Sequence, residues 1–429
     1  MTIGVIGSGH VGLVTGACFA ELGHEVICDD DDSAKVGMLK RGEMPFFEPG
    51  LKELVAKNVA SGRLLFTTDL VETIGKCKAL FIAVGTPPRE DGEADLSAVE
   101  AVSSKIAETM TEYKLVVEKS TVPVQTGMQI KRTMEMRRKG NVEFDVASNP
   151  EFLREGSAVY DFMNPDRVVI GFETERARKN LLEIYAPLKA TIVETDIQSA
   201  EIIKHASNSL LSLKISFINA ISIVCELAGA DVVKVADGVG MDKRIGREFL
   251  DAGVGFGGFC FPKDIRAFIR IAEKLGYDFA LLREVERINE EQKKRFVGKV
   301  KEALWNLQGK TIGVLGLSFK PNTDDMRYAP SIDIINGLLA EGAKIRAYDP
   351  AATKEAKKIL KGVEFCKDAY EVAEGADAVA LVTEWEEFEK LDLAKLKSLM
   401  RSPVIVDGRN VFAPGFAERF GFQYKGTGR

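Results

Sequence analysis

Along the first 196 residues, short runs of β-branched and apolar residues alternate with longer amphipathic segments. Thr2–Ile6, Glu25–Cys28, Leu80–Val84, Leu115–Glu118, Phe144–Ala147 and Arg167–Ile170 predict strands of a parallel sheet, since each is short, largely apolar and followed by a helix-length segment. The period changes at Ile197. From there to about Ala230 apolar residues recur three and four apart without a proline, which predicts one long helix leaving the first domain. A second strand-helix series opens at Lys310 with TIGVLGL, continues through KIRAYDP and AVALVTEW, and closes with PVIVDGRN. The predicted class is α/β, with a doubly wound domain at each end (1–196 and 306–429) and a helical middle (197–305). No solenoid-length repeat and no low-complexity linker interrupts it.

Composition agrees with several domains, because 429 residues at 45% hydrophobic content exceed what one core usually serves. A formal charge of −6 without a block of Lys and Arg gives no footprint for nucleic acid or an anionic membrane. No apolar run reaches a membrane span, and the N-terminus enters a strand directly, so a cytoplasmic protein is expected. The six cysteines, at 18, 28, 77, 225, 260 and 366, form no Cys-x-x-Cys pair and read as reduced thiols. Only His10, His24 and His205 occur, so neither a histidine-rich metal site nor a Ser-His-Asp triad is expected.

Gly7-Ser-Gly9-His10-Val11-Gly12 follows the first strand and opens the first helix, with Asp30 ending the second strand. This is the spacing of a dinucleotide site: Gly7 permits the tight turn, Gly9 lets the backbone approach a pyrophosphate, and Gly12 allows close helix packing. The helix N-terminus adds free N–H groups and positive dipole. Asp30 can accept ribose hydroxyls, and the acidic run from Asp29 to Asp32 repels a 2′-phosphate, which favours NAD over NADP. Asp29, Asp31 and Asp32 read singly as a solvated turn. Val84-Gly-Thr86-Pro-Pro88 and Lys119-Ser-Thr121-Val-Pro123 follow what the pattern counts as strands three and four, at the edge where such sheets bind ligands. Thr86 and Thr121 there are either cofactor contacts or plain strand-end caps.

In Gly253-Val-Gly255-Phe-Gly257-Gly258-Phe-Cys260-Phe-Pro-Lys263-Asp264, the glycines suit a backbone that bends and comes close to a ligand. A helix is predicted to begin near Lys263, and its N-terminus with a nearby lysine would make Cys260 a thiolate nucleophile; a buried structural cysteine is the alternative. Lys204 and Asn208 stand four apart, on one face of the long helix, either as an oxyanion site or as a solvated stripe. Glu151 and Glu155 follow another strand end and could order or deprotonate a water.

Together these motifs resemble the UDP-glucose/GDP-mannose dehydrogenase family, from the first strand to about Phe412. The glycine fingerprint, GTPP, STVP, NPEFLREG, KHASN, GFGGFCFPKD, LSFKPNTDDMR and DGRN stand in the family's order and approximate spacing. The resemblance implies two Rossmann-like domains bridged by a long helix, a homodimer or higher homo-oligomer, and a four-electron oxidation using two NAD in succession. It makes Cys260 the nucleophile that captures an aldehyde as a thiohemiacetal and carries the thioester that follows. Lys204 and Asn208 match its oxyanion stabilisers, while Thr121, Glu151 and Asp264 match residues that order or activate water. Gly7, Gly9, His10, Val11, Gly12, Asp30, Lys35, Thr86, Thr121, Glu155, Lys263 and Arg327 fall near NAD. Glu151, Phe152, Leu153, Lys204, Asn208, Arg244, Phe249, Gly257, Lys320 and Arg409 fall around the sugar nucleotide, with Arg244 placed to reach a partner subunit's site.

Two departures stand out: Phe259 precedes the cysteine where many relatives carry serine or tyrosine, and the tail after Phe412 is short. The Cys260-Phe-Pro-Lys-Asp frame resembles the glucose and mannose branches, and Lys243-Arg244-Ile-Gly246 with Phe249–Phe256 is closer to the UDP-glucose branch, so UDP-glucose is the expected substrate. The competing readings are a GDP-mannose 6-dehydrogenase, a one-step NAD-dependent dehydrogenase, which leaves the cysteine loop without purpose, and a non-catalytic nucleotide-binding protein.

Overall fold

A computed structural model describes residues 1–89 and 92–429. They form two compact units, 1–207 with 266–276 and 208–265 with 277–429.

The first unit is built on eight strands: β1 Thr2–Ile6, β2 Glu25–Asp29, β3 Leu64–Thr67, β4 Ala79–Ile82, β5 Lys114–Glu118, β6 Phe144–Ser148, β7 Val168–Phe172 and β8 Ile192–Thr195. Their order is β3-β2-β1-β4-β5-β6-β7-β8, so the first six strands follow the doubly wound dinucleotide-binding order. β4 and β5 are buried at every residue, because helices cover both faces, and this is why their sequences are apolar without alternation. The pattern missed β3 and β8. Both are short strands, β8 at the sheet's edge with no residue fully buried and β3 with an exposed Leu65, so neither offers a continuous apolar run. The turns at 84–88 and 119–123 therefore follow the fourth and fifth strands rather than the third and fourth. The sheet is also not wholly parallel: β7 runs antiparallel to β6, with Ala147 opposite Phe172. The connection between them holds only the short helix Ala158–Met163, and residue periodicity carries no information on strand direction.

The second unit holds β9 Thr311–Leu315, β10 Lys344–Tyr348, β11 Val363–Phe365, β12 Ala378–Leu381, β13 Val404–Asp407 and β14 Gln423–Lys425. Their order, β11-β10-β9-β12-β13-β14, repeats that of the first six strands, and every pair is parallel. The two strands missed from sequence, β11 and β14, are three-residue edges. The tail is not idle: beyond β14, Gly428 N donates to Glu226 Oε1 at 2.7 Å and Gly428 O accepts from Val232 N at 2.9 Å.

The long helix spans Ile197–Ala228, within two residues of expectation, and it runs through both units. By length and composition it would be apolar enough to cross a membrane, with a mean hydropathy of 1.7 over its best 18 residues, which corrects the expectation that no segment reaches that mark. Two of its polar side chains bond to residues outside the helix. Ser216 Oγ donates to Val285 O at 2.9 Å, and Asn219 Oδ1 accepts from Gly253 N at 2.8 Å. A second correction concerns the cysteine loop: the helix there is Cys260–Lys274 and begins at the cysteine itself.

Candidate functional site

In the first unit, the fingerprint glycines have three different reasons to be glycine. Gly7 has φ +97°, and a Cβ there would lie 2.6 Å from Ala83 O; at Gly12 it would lie 1.8 Å from Gly7 O. At Gly9 a Cβ would meet only open space, leaving room for a group to approach the start of helix His10–Glu21. Half-buried Val11 lies in that helix's first turn. Asp30 is buried and accepts from Ser8 N and Ser8 Oγ, both at 2.7 Å, and from Lys35 Nζ at 2.9 Å. Burial alone would raise its pKa, but Lys35, Ser8 and Asp32 outweigh it and hold the carboxyl below its usual range. A turn with anion-binding N–H groups, positive helix dipole and an ionised carboxylate fits an adenine dinucleotide.

Of the neighbouring acids expected in a solvated turn, Asp31 and Asp32 are exposed and Asp29 is not. Asp29 is buried and pushed up to about 6, first by that burial and then by Asp30 and Asp31. Asp32 caps helix Ser33–Lys40 by accepting from Ala34 N and Lys35 N at 2.9 and 3.0 Å; only Asp31 is left as a plain surface acid. His10 Nε2 lies 3.1 Å from buried Glu48 Oε2, and its ring stacks on Phe46. Glu48 also accepts from Gly156 N and Ala158 N at 2.8 and 2.9 Å. The fingerprint is thereby tied to the loop that carries Glu151, Phe152, Leu153 and half-buried Glu155.

The two strand-end turns are joined by Thr86 Oγ1, which donates to Thr121 O at 2.9 Å. Beside them Lys204 and Glu151 form a buried pair, Nζ to Oε1 2.8 Å, and the other Glu151 oxygen accepts from Leu153 N at 2.6 Å. The Phe152 ring lies under the Arg167 guanidinium at 3.8 Å, with Lys204 Nζ 5.5 Å from its centre. The solvated-stripe reading of Lys204 and Asn208 is thus set aside, since both are buried.

In the second unit, Asn208 Nδ2 donates to Asp264 Oδ2 at 2.6 Å, and Lys263 Nζ lies 3.0 Å from Asp264 Oδ1. Cys260 is partly exposed, whereas the other five cysteines are buried free thiols. The glycines before it leave room for the chain's own packing. A Cβ at Gly257 would lie 2.3 Å from Tyr328 O, and one at Gly258, φ +80°, 2.8 Å from the Phe319 ring. Phe259, the departure from the family, sits under two cations, with Arg327 4.4 Å and Lys263 5.5 Å from its ring centre. Arg409 links loop and sheet, its Nε donating to Val382 O at 2.9 Å and its Nη2 to Gly255 O at 3.2 Å. Phe249 has φ +65° and its ring is 6.4 Å from that of Phe261; Lys320 Nζ is 5.6 Å from the Phe319 ring. Arg244 is not gathered with the others: its side chain is 88% exposed and paired with Asp242.

Sequence reasoning missed a second carboxylate turn. Asp349 Oδ2, just past β10, accepts from Leu317 N, Ser318 N, Ser318 Oγ and Trp385 Nε1 at 2.7 to 3.1 Å. It mirrors Asp30 and Ser8 past β2. The available signal was Gly316-Leu-Ser318 after β9 with Asp349 ending KIRAYDP, but the further fingerprint glycines are absent.

Comparison with known proteins settles the family. Residues 1–189, 198–291 and 313–414 match the NAD binding, central and UDP binding domains of the UDP-glucose/GDP-mannose dehydrogenase family. The chain belongs to that family. UDP-glucose 6-dehydrogenase TuaD of Bacillus subtilis is 49% identical, the match covering 100% of this chain and 93% of that protein. Among solved structures, a UDP-glucose dehydrogenase of Pyrobaculum islandicum superposes with a TM-score of 0.93 at 41% identity, covering 100% of this chain and 97% of that one. A GDP-mannose dehydrogenase of Pseudomonas aeruginosa gives 0.55 at 30% identity, with 100% of both chains covered.

As a member of this dehydrogenase family the chain is an NAD-dependent oxidoreductase, and the fingerprint turn lies in its NAD binding domain. The Asp349 turn and Arg409 lie in its UDP binding domain, and Lys204, Asn208 and Cys260 in its central domain.

Proposed function

We propose that this chain oxidises UDP-glucose to UDP-glucuronate, with residues 1–196 holding NAD, 197–305 carrying the cysteine loop, and 306–429 holding the UDP-sugar. The observation that carries the substrate is the contrast in likeness, 0.93 to the UDP-glucose enzyme against 0.55 to the GDP-mannose enzyme. In the Rossmann-type site, Asp30 takes the ribose hydroxyls and the helix at His10 faces the pyrophosphate, with Lys35, Thr86, Thr121, Glu155, Lys263 and Arg327 completing the cofactor's surroundings. NAD, when bound, supplies the hydride acceptor for each of two oxidations.

Cys260, the first residue of a 15-residue helix, has its thiolate stabilised by the helix dipole. Its sulfur adds to the aldehyde carbon of the first oxidation product and forms a thiohemiacetal. Lys204 and Asn208 hold the oxyanion. Loss of hydride from that adduct leaves a thioester, and water ordered by Thr121, Glu151 and Asp264 attacks it, releasing the carboxylate and returning the thiolate. Phe152, Leu153, Phe249, Gly257, Lys320 and Arg409 surround the sugar nucleotide.

Two NADH per UDP-glucose are expected, with a larger kcat/KM than for GDP-mannose. One NADH per sugar would replace this scheme with a one-step oxidation, and a preference for GDP-mannose would change the substrate alone.

The enzyme works as a cytoplasmic homodimer or higher homo-oligomer with neither nucleic acid nor membrane as partner. Leu210, Phe217 and Val224 are exposed seven apart on the long helix, the spacing of a seam that packs against a second copy, and exposed Arg244 would then serve the partner's site. Sedimentation at the mass of one chain would set this aside.

A further inference from the structure

Glu201 has no part in the proposed reaction, yet it stands three residues before Lys204 on the long helix and is 2% exposed. Both of its oxygens are spent on the backbone of another segment. Oε2 accepts from Gln125 N at 2.6 Å and Oε1 from Gly127 N at 2.8 Å. Those N–H groups open helix Thr126–Arg137, whose N-cap, Gln125, has no side-chain capping bond of its own. A carboxylate from the long helix therefore supplies the cap, meeting both the open N–H groups and the positive end of the dipole. The two helices meet closely here, since a Cβ at Gly127 would lie 2.5 Å from Ile197 Cγ2. Gln125 itself is held at φ +77° and ψ +4°, left-handed backbone that a residue with a Cβ disfavours.

The turn just before that helix, 119–123, is pinned as well. His205, on the same face of the long helix as Glu201, has Nε2 2.8 Å from Val122 O. From the neighbouring strand end, Thr86 Oγ1 donates to Thr121 O and Ser120 Oγ donates to Val84 O, each at 2.9 Å. The backbone on either side of Thr121 is thus fixed, while the Thr121 hydroxyl takes part in none of these bonds. Glu201, Lys204 and His205 project from one turn of helix, so a single rigid element sets where both the Thr121 turn and the Lys204 ammonium lie.

We propose that Glu201 is a positioning residue, whose carboxylate clamps the start of helix Thr126–Arg137 and thereby fixes Thr121 relative to Lys204. This rests on the roles given above to those two residues. The step that needs Thr121 to order water is attack on the thioester, after both hydrides have left. Loosening the clamp should slow that step and spare the two before it.

Glu201→Gln keeps the length and one acceptor oxygen but turns an amide NH2 towards the second backbone N–H. In stopped-flow assays with saturating NAD and UDP-glucose, the first two NADH per active site are expected at the parental rate, and the steady rate that follows about tenfold lower. KM for NAD should stay within about twofold, because the Thr86 and Ser120 bonds remain. Gln125→Gly in the Glu201→Gln background should bring the steady rate back to within about threefold of the parent, since glycine holds a positive φ without a clamp. Glu201→Asp, one methylene too short to reach both N–H groups, takes the place of Glu201→Gln if that variant does not fold.

A parental steady rate would overturn the proposal, as would a loss that slows the first two NADH equally or that Gln125→Gly does not relieve. If any of these is seen while the parent makes two NADH per UDP-glucose, this inference falls and the functional reading stands. If the parent makes one NADH or none, both fall.

Discussion

Cys260→Ser is expected to abolish formation of UDP-glucuronate, by on the order of a thousandfold or more, while NAD affinity stays at the parental value. A serine hydroxyl is almost wholly protonated at neutral pH, and one helix N-terminus cannot bring it near ionisation as it can a thiol. The residue begins helix Cys260–Lys274, so the substitution keeps backbone and volume and removes only the nucleophile. The fingerprint turn belongs to the other compact unit, which is why cofactor binding should not change. Single-turnover assays with titration of NAD separate the two. Cys260→Ala producing free uronate at the parental rate would remove the cysteine from the mechanism.

Lys204→Ala is the second large effect, with kcat expected to fall on the order of a hundredfold or more and KM for NAD little changed. An ammonium that meets charge developing during reaction contributes more to the transition state than to the bound state. The structure adds a cost in stability. Lys204 is buried against Glu151 at 2.8 Å, and removing one member of a buried ion pair typically destabilises by about 3–5 kcal/mol. Thermal unfolding of the variant must therefore accompany the kinetics, so that kcat is measured on folded enzyme. A folded Lys204→Ala protein with parental turnover would return this lysine to a purely structural role.

How far local pattern carries can be judged from single residues. The fingerprint was readable because each glycine answers to its own neighbourhood: a positive φ at Gly7, an open position at Gly9, and a backbone oxygen under Gly12. The cysteine loop was readable as a special segment, yet the packing that its glycines also serve was not. They make room for Tyr328, Phe319, Asn289 and Arg409, residues distant in sequence that no local period announces. Asp29 was misjudged for a related reason. A run of four acids looks solvated, but the first of them ends β2 and is buried.

By itself the sequence determined the two βα series, the long helix, the nucleotide turn and the family, because these depend on local periodicity, glycine placement and the order of motifs along the chain. Only the tertiary structure decided the direction of β7, the short strands β3, β8, β11 and β14, the start of the helix at Cys260, and the burial of Lys204, Asn208 and Lys119. The physical reason is common to them all. Direction, edge pairing and burial are set by what packs against a residue from elsewhere in the chain, and a lysine on a helix face carries no mark in its own sequence of whether water or a carboxylate will meet it.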